Sequence, residues 1–271
     1  MAAIGIFDSG YGGLTILDSI RQKLPQYDYV YLGDNARAPY GTRSFEVVYR
    51  YTLQCVRKLF EFDCPLIILA CNTASAKALR SIQQNDLPKI APQNRVLGVI
   101  RPTVEAVDKL TKTRSVGLLA TSGTVQSNSY PLEIKKLYPD ISITSQACPM
   151  WVPLVENNEF TNSGAEFFIE KDLKNLLAAD TNIDAIMLGC THYPLLLPLI
   201  EKFVSPKINI ISQGKIVAES LNDYLQRHPE IDKRLSRNST VQFYTSEQDT
   251  KFSQSASLFL NQDIVAQHIE M

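Results

Sequence analysis

LIILACNT at residues 66–73 and AIMLGCTH at residues 185–192 follow one plan. Each is an apolar run closed by a small residue, a cysteine and a short polar group with a threonine. The two cysteines stand 119 positions apart (190 − 71). Each run reads as a strand. Further apolar strands are expected at 3–7, 27–32, 95–100, 115–120, 141–145 and 208–211, with the two runs extended to 65–70 and 184–188. Helical patterns fall between them, at 44–60, 124–138 and 163–178. Strands alternating with helices predict βαβ units, a mainly parallel sheet and an α/β fold.

Ligand sites in such folds lie at the carboxyl ends of strands, where the chain turns toward a helix. The residues at those places are polar. They are Asp8-Ser9-Gly10, Gly33-Asp34-Asn35, Cys71-Asn72-Thr73, Thr121-Ser122-Gly123-Thr124 and Gly189-Cys190-Thr191-His192. The chain also looks duplicated. IGIFDSG at 4–10 is similar to VGLLATSG at 116–123, and each is followed by a cysteine-bearing strand end. This predicts two related α/β halves, with a crossing point between Arg95 and Arg101. The Asn- and Glu-rich stretch 156–163 reads as an exposed loop.

Composition narrows the class. The chain has 271 residues, 45% hydrophobic and 20% charged, with a formal net charge of −1. That is an ordinary globular composition, long enough for a real core. It carries no electrostatic footprint for nucleic acid or an anionic membrane. No apolar stretch reaches the roughly 18 residues of a membrane span. The opening MAAIGIFDSG lacks a signal-peptide pattern, so a cytoplasmic location is expected.

The five cysteines, Cys55, Cys64, Cys71, Cys148 and Cys190, form no CxxC, and three histidines are dispersed. A disulfide framework and a metal site are both unsupported. Cys55, Cys64 and Cys148 read as small buried hydrophobes. Cys71 and Cys190 differ, because each ends a strand just before an expected helix. Amide N–H groups and the helix dipole would stabilise a thiolate there. Two thiols facing each other across a cleft suit the inversion of a stereocentre by proton transfer. One face needs a base, the other an acid, and either enantiomer can be the substrate. A Cys–His nucleophile built on Cys190 and His192 would leave Cys71 idle. FDSGYGG at 7–13 lacks the spacing of a nucleotide-binding loop and reads more simply as a tight strand-to-helix turn.

FDSGYGG at 7–13, GDNARAPYGTRS at 33–44, LACNTAS at 69–75, VPLVE at 152–156 and LGCTHYPLL at 188–196 together resemble the cofactor-independent glutamate racemases. The motifs run in that family's order over roughly residues 3–225. The resemblance implies two pseudo-symmetric, doubly wound α/β domains with the active site in the cleft between them. Residues 1–97 plus 212–271 would form one domain, and 98–211 the other, with a helix near 214–226 returning to the first. It implies Cys71 and Cys190 as the two acid/base groups, with Asp8 and His192 assisting and Asp34 and Glu156 as further acidic residues. Asp8-Ser9, Tyr40-Gly41, Asn72-Thr73 and Thr191-His192 match substrate-binding pairs. The bland readings are helix caps for Asp8 and Ser9, turn formers for Tyr40 and Gly41, and helix-start hydroxyls for Thr73 and Thr191. Helix starts are also good carboxylate holders, so the two sets of readings are compatible.

By the same resemblance the reaction is interconversion of L- and D-glutamate without cofactor or metal, by a homodimer, feeding peptidoglycan synthesis. Three residues precede Ile4, and activity is accordingly expected not to require a cell-wall precursor as activator. Two departures stand out. Arg101 in GVIRP and Lys215 in SQGK replace commonly acidic residues, and could pair with acidic residues of this chain or alter a subunit contact. Two other readings stay open: an aspartate or other amino-acid racemase, and a non-catalytic amino-acid sensor on the same fold.

Overall fold

The structure, a computed structural model, describes residues 2–260 and 262–271. The strands, in chain order, are β1 (Ile4–Asp8), β2 (Tyr29–Gly33), β3 (Leu66–Leu69), β4 (Arg95–Gly98), β5 (Ser115–Ala120), β6 (Ser142–Ala147), β7 (Ala185–Gly189), β8 (Asn209–Ile211), β9 (Val241–Thr245) and β10 (Ala266–His268). They form two sheets, ordered β10-β9-β2-β1-β3-β4 and β6-β5-β7-β8. The pairings are parallel in both.

The order 2-1-3-4 within the first sheet recurs as 6-5-7-8 in the second. β1 and β5, which carry the two similar stretches, hold the same place, as do β3 and β7, which lead to the two cysteines. β9 and β10 extend the first sheet beyond this shared order.

Both faces of each sheet are covered by helices, which is why the central strands are buried at every position rather than at alternate ones. Ile4, Ile6, Leu66 and Ile68 pack with Leu14, Leu17, Val217 and Leu221 from helices Gly13–Lys23 and Gln213–Arg227. Phe7, Ile67 and Leu69 point the other way, onto Val48, Val56 and Leu59 of helix Phe45–Glu61. In the second sheet Val116, Leu118 and Met187 meet Val104, Val107 and Ile134, while Leu119, Ile186 and Leu188 meet Trp151, Leu173 and Leu176. Each fully buried Leu, Ile or Val contributes about 1.5–3 kcal/mol.

The eight strands expected from sequence are present, with ends shifted by a few residues. Two were not foreseen. β9 is only partly buried, and β10, Ala266–His268, exposes two of its three residues at the sheet edge. Neither offers a buried apolar run. The pattern at 124–138 is two helices, Ser122–Gln126 and Ser129–Leu137. Asn128 breaks them with φ 54°, a left-handed conformation that Asn tolerates better than most residues. Arg101 finds acidic partners within the chain, Glu105 at 2.8 Å and Glu133 at 3.6 Å.

Candidate active site

β1, β3, β5 and β7 all point their carboxyl ends at one place. A cavity of about 70 Å³ there is lined by residues that follow these strands, including Ser9, Cys71, Asn72, Thr73, Thr121, Ser122, Cys190, Thr191 and His192. Tyr40, Gly41 and Glu156 complete the group brought together from the expected residues. A larger hollow of about 600 Å³ lies elsewhere, lined by residues such as Ser75, Gly98, Arg101 and Tyr224. It has no cysteine or histidine, so the chemistry selects the smaller cavity.

Cys71 is the N-cap of helix Asn72–Lys77, and its Sγ accepts from the Ala74 N–H at 3.4 Å. Ser9 Oγ lies 3.4 Å from the same sulfur. These contacts favour a thiolate, yet burial and the nearby Asp8 charge prevail and push the Cys71 thiol up to about 12. The dipole argument from sequence is thus outweighed at this position: desolvation penalises the charged form more than one short helix relieves it. Asp8 itself is fully buried. Its Oδ2 accepts from the Gly10 N–H at 2.9 Å. Burial raises its carboxyl above the usual range, against the opposing pull of the His192 charge and the amides of Gly10 and Gly13.

Cys190 has a different partner. No α-helix follows it directly; the chain enters a 3₁₀ turn, Tyr193–Leu196. Its Sγ lies 3.8 Å from His192 Nδ1, and His192 Nε2 lies 3.0 Å from Glu156 Oε1. Burial disfavours the charged imidazole, but the bonds to Cys190 and Glu156 prevail and hold His192 at about 10. The shift favours the imidazolium, whose Nδ1–H is placed to donate to Cys190 Sγ.

The two sides touch. Thr191 Oγ1 reaches Asp8 Oδ1 at 3.4 Å. Thr73 Oγ1 lies 2.9 Å from Thr121 Oγ1 and 3.3 Å from Thr124 Oγ1. The Gly123 N–H donates to the Gly41 carbonyl at 2.7 Å. Hydroxyls and amides of both sheets thus surround one small space, which suits a carboxylate ligand.

Two expected residues do not line the cavity. Asp8 lies directly behind Ser9 and Thr191. Asp34 lies behind Tyr40, whose hydroxyl it accepts, and also binds Arg37 Nε at 2.7 Å and Ser246 Oγ at 2.7 Å. That network ties the 34–40 loop to the segment after β9. Cavity residues absent from the expected set are Pro39, Thr42, Thr121, Ser122, Pro149, Val152 and Pro153. Thr121 and Ser122 end a strand and carried the same signal as Cys71. Pro39, Thr42, Val152 and Pro153 lie within the quoted motifs at 33–44 and 152–156 without having been singled out, and Pro149 carried no signal. Cys55, Cys64 and Cys148 are free and buried outside this lining.

Residues 14–221 match the Asp/Glu/hydantoin racemase family, and the chain belongs to that family. A glutamate racemase of Streptococcus equi subsp. equi is 37% identical over 269 residues, covering 99% of this chain and 98% of that protein. Among solved structures, glutamate racemase isoform RacE1 of Bacillus anthracis superposes with a TM-score of 0.90 at 33% identity, over 100% of this chain and 98% of that one. Glutamate racemase of Francisella tularensis subsp. tularensis, solved with D-glutamate, gives 0.84 at 34% identity, over 100% and 97%.

Proposed function

We propose that the chain interconverts L- and D-glutamate by a two-base mechanism on Cys71 and Cys190. The observation that carries this reading is that both cysteines, at corresponding strand ends of two similarly ordered sheets, line a single cavity. Cys190 as thiolate takes the α-proton of L-glutamate, and the Cys71 thiol gives its proton to the opposite face. D-glutamate leaves with the two protonation states exchanged, so the proton count balances. D-glutamate reacts by the reverse path. A Cys71 thiol pushed up to about 12 is in the acid form the first path needs. His192, held by Glu156, stabilises the charge on Cys190, and Asp8 acts on the Cys71 side through its nearby charge.

The α-proton is far less acidic than a thiol near 8.5. Most of the catalysis must therefore come from stabilising the carbanion. The hydroxyls of Ser9, Thr73, Thr121 and Thr191, with Asn72 and the backbone of Gly41, supply preorganised dipoles in a small enclosed space. Tyr40 and His192 complete the substrate contacts.

In this reading residues 1–97 with 212–271 and residues 98–211 are the two domains. Helix Gln213–Arg227 packing on helix Gly13–Lys23 supports the return of the chain to the first. A cytoplasmic homodimer supplying D-glutamate for peptidoglycan, cell-wall biogenesis and cell shape completes the proposal. No helix among the described residues is long and apolar enough to cross a membrane, which is compatible with it.

The test is loss of circular dichroism from pure L-glutamate and pure L-aspartate with purified protein. Decay with glutamate alone supports the proposal; decay with aspartate alone points to a different racemase, and decay with neither to a sensor. In deuterium oxide each conversion should label the product at Cα early, while recovered substrate stays mostly unlabelled. A single shared base would label both.

A further inference from the structure

Asn72 follows Cys71 and lines the cavity, and its amide is held by a buried ring of side chains from other elements. Asn72 Nδ2 donates to Gln213 Oε1 at 2.6 Å. Gln213 Nε2 donates to the Tyr130 hydroxyl at 2.8 Å, and that hydroxyl donates to Asn72 Oδ1 at 2.7 Å. Gln213 Nε2 also donates to Thr103 Oγ1 at 2.8 Å. Asn72 and Gln213 are each 2% exposed, and Thr103 and Tyr130 are fully buried.

The direction of every bond follows from one backbone carbonyl. Thr103 Oγ1 donates its only proton to the Val99 carbonyl at 2.7 Å. Toward Gln213 it can then only accept, so the NH₂ end of Gln213 must face it. The carbonyl end of Gln213 is thereby aimed at Asn72, which must present its own NH₂. Tyr130, already accepting from Gln213, has its proton left for Asn72 Oδ1. An asparagine amide can otherwise sit either way round. Here a reversed amide would bring two acceptors together against Gln213, in a place that water does not reach.

We infer that Gln213 is a positioning residue which, directly and together with Tyr130, sets which end of the Asn72 amide meets the substrate. Gln213 lies in SQGK at 212–215, a stretch whose sequence departs from the family pattern and which the cysteine chemistry leaves unexplained. It does not line the cavity, and acts only through Asn72. The inference rests on the glutamate racemase reading for its kinetic consequence but not for its structural one.

The experiment has two arms, with thermal melts confirming that each variant is folded. In the first, Gln213→Leu and Tyr130→Phe are assayed with both glutamate enantiomers. Each variant removes one hydrogen bond to Asn72, which should raise KM about tenfold, with kcat within about threefold. In an Asn72→Ala background neither change should raise KM further, because the group they orient is gone. Equal losses in both backgrounds, or an unchanged KM in the native one, overturn the inference. The second arm needs no substrate. The side-chain NH₂ signals of Asn72, assigned by their disappearance in Asn72→Ala, should be dispersed and slow to exchange in the native protein. In Gln213→Leu they should move toward those of a free amide, and signals that stay in place overturn the inference even if native protein leaves glutamate untouched. Native protein inert on glutamate, with the signals moving as expected, rejects the substrate reading alone.

Discussion

Replacing Gly12 with alanine tests how tightly the first strand-end loop is seated against the His192 side of the cavity. Gly12 has φ −59° and ψ −32°, so alanine meets no backbone obstacle. The obstacle is steric. An added Cβ would lie 2.6 Å from His192 Nδ1, 2.9 Å from His192 N, and closer still to Thr191 Oγ1. Ordinary contact begins near 3.4 Å, so the ring nitrogen must retreat by about 0.8 Å (3.4 − 2.6) and the backbone by about 0.5 Å (3.4 − 2.9). Nδ1 is the atom that faces Cys190, and Glu156 holds the opposite edge of the ring at 3.0 Å. The ring cannot yield without lengthening one of these contacts.

Misplacement on the order of 1 Å in a catalytic group costs about 10²-fold in rate, and overpacking of this kind costs about 1–3 kcal/mol of stability. Gly12→Ala should therefore lower kcat roughly 100-fold in both directions, measured by circular dichroism from either enantiomer, while urea titration shows a folded but weakened protein. Gly164→Ala is the control, since the one close atom there is Asn162 Oδ1, at 3.2 Å. A folded Gly12→Ala protein with native kcat would refute the close seating on which the geometry of Cys190 and His192 depends.

Cys71→Ala and Cys190→Ala should each abolish racemisation in both directions, by about 10²–10⁴-fold or more, because each variant lacks the base for one path and the acid for the other. Alanine at Cys55, Cys64 or Cys148 should leave turnover intact in folded protein; near-native activity without Cys71 or Cys190 sinks the two-base reading. His192 is raised from 6.5 to about 10, so its contribution to stability is full below about 6.5 and is lost as pH rises through about 10. Melting curves of native protein and His192→Gln between pH 6 and 10.5 should converge at the alkaline end; a constant gap contradicts the assignment. Asp34→Ala leaves the buried end of Arg37 and the Tyr40 hydroxyl without their acceptor and should cost about 3 kcal/mol or more in urea titration, whereas a stability within error of native protein would show that the network is dispensable.

The α/β class, the eight strands of the shared order and the placing of two cysteines at corresponding strand ends were legible in the residues alone. The physical reason is local. A strand buried on both faces must be apolar throughout, and the polar residues that follow it must serve either a turn or a ligand. LIILACNT and AIMLGCTH satisfy both conditions within eight residues each. β9 and β10 escaped because a partly covered end of a sheet demands no such run. Whatever depends on distance across the chain came from the packing. It seated His192 against Glu156, 36 residues away. It set Asp34 behind Tyr40 rather than at the cavity wall. It turned Gln213 onto Asn72 across 141 residues. It also reversed the electrostatic expectation at Cys71, because desolvation is a property of the whole fold around a group, whereas a helix start can be read from its neighbours alone.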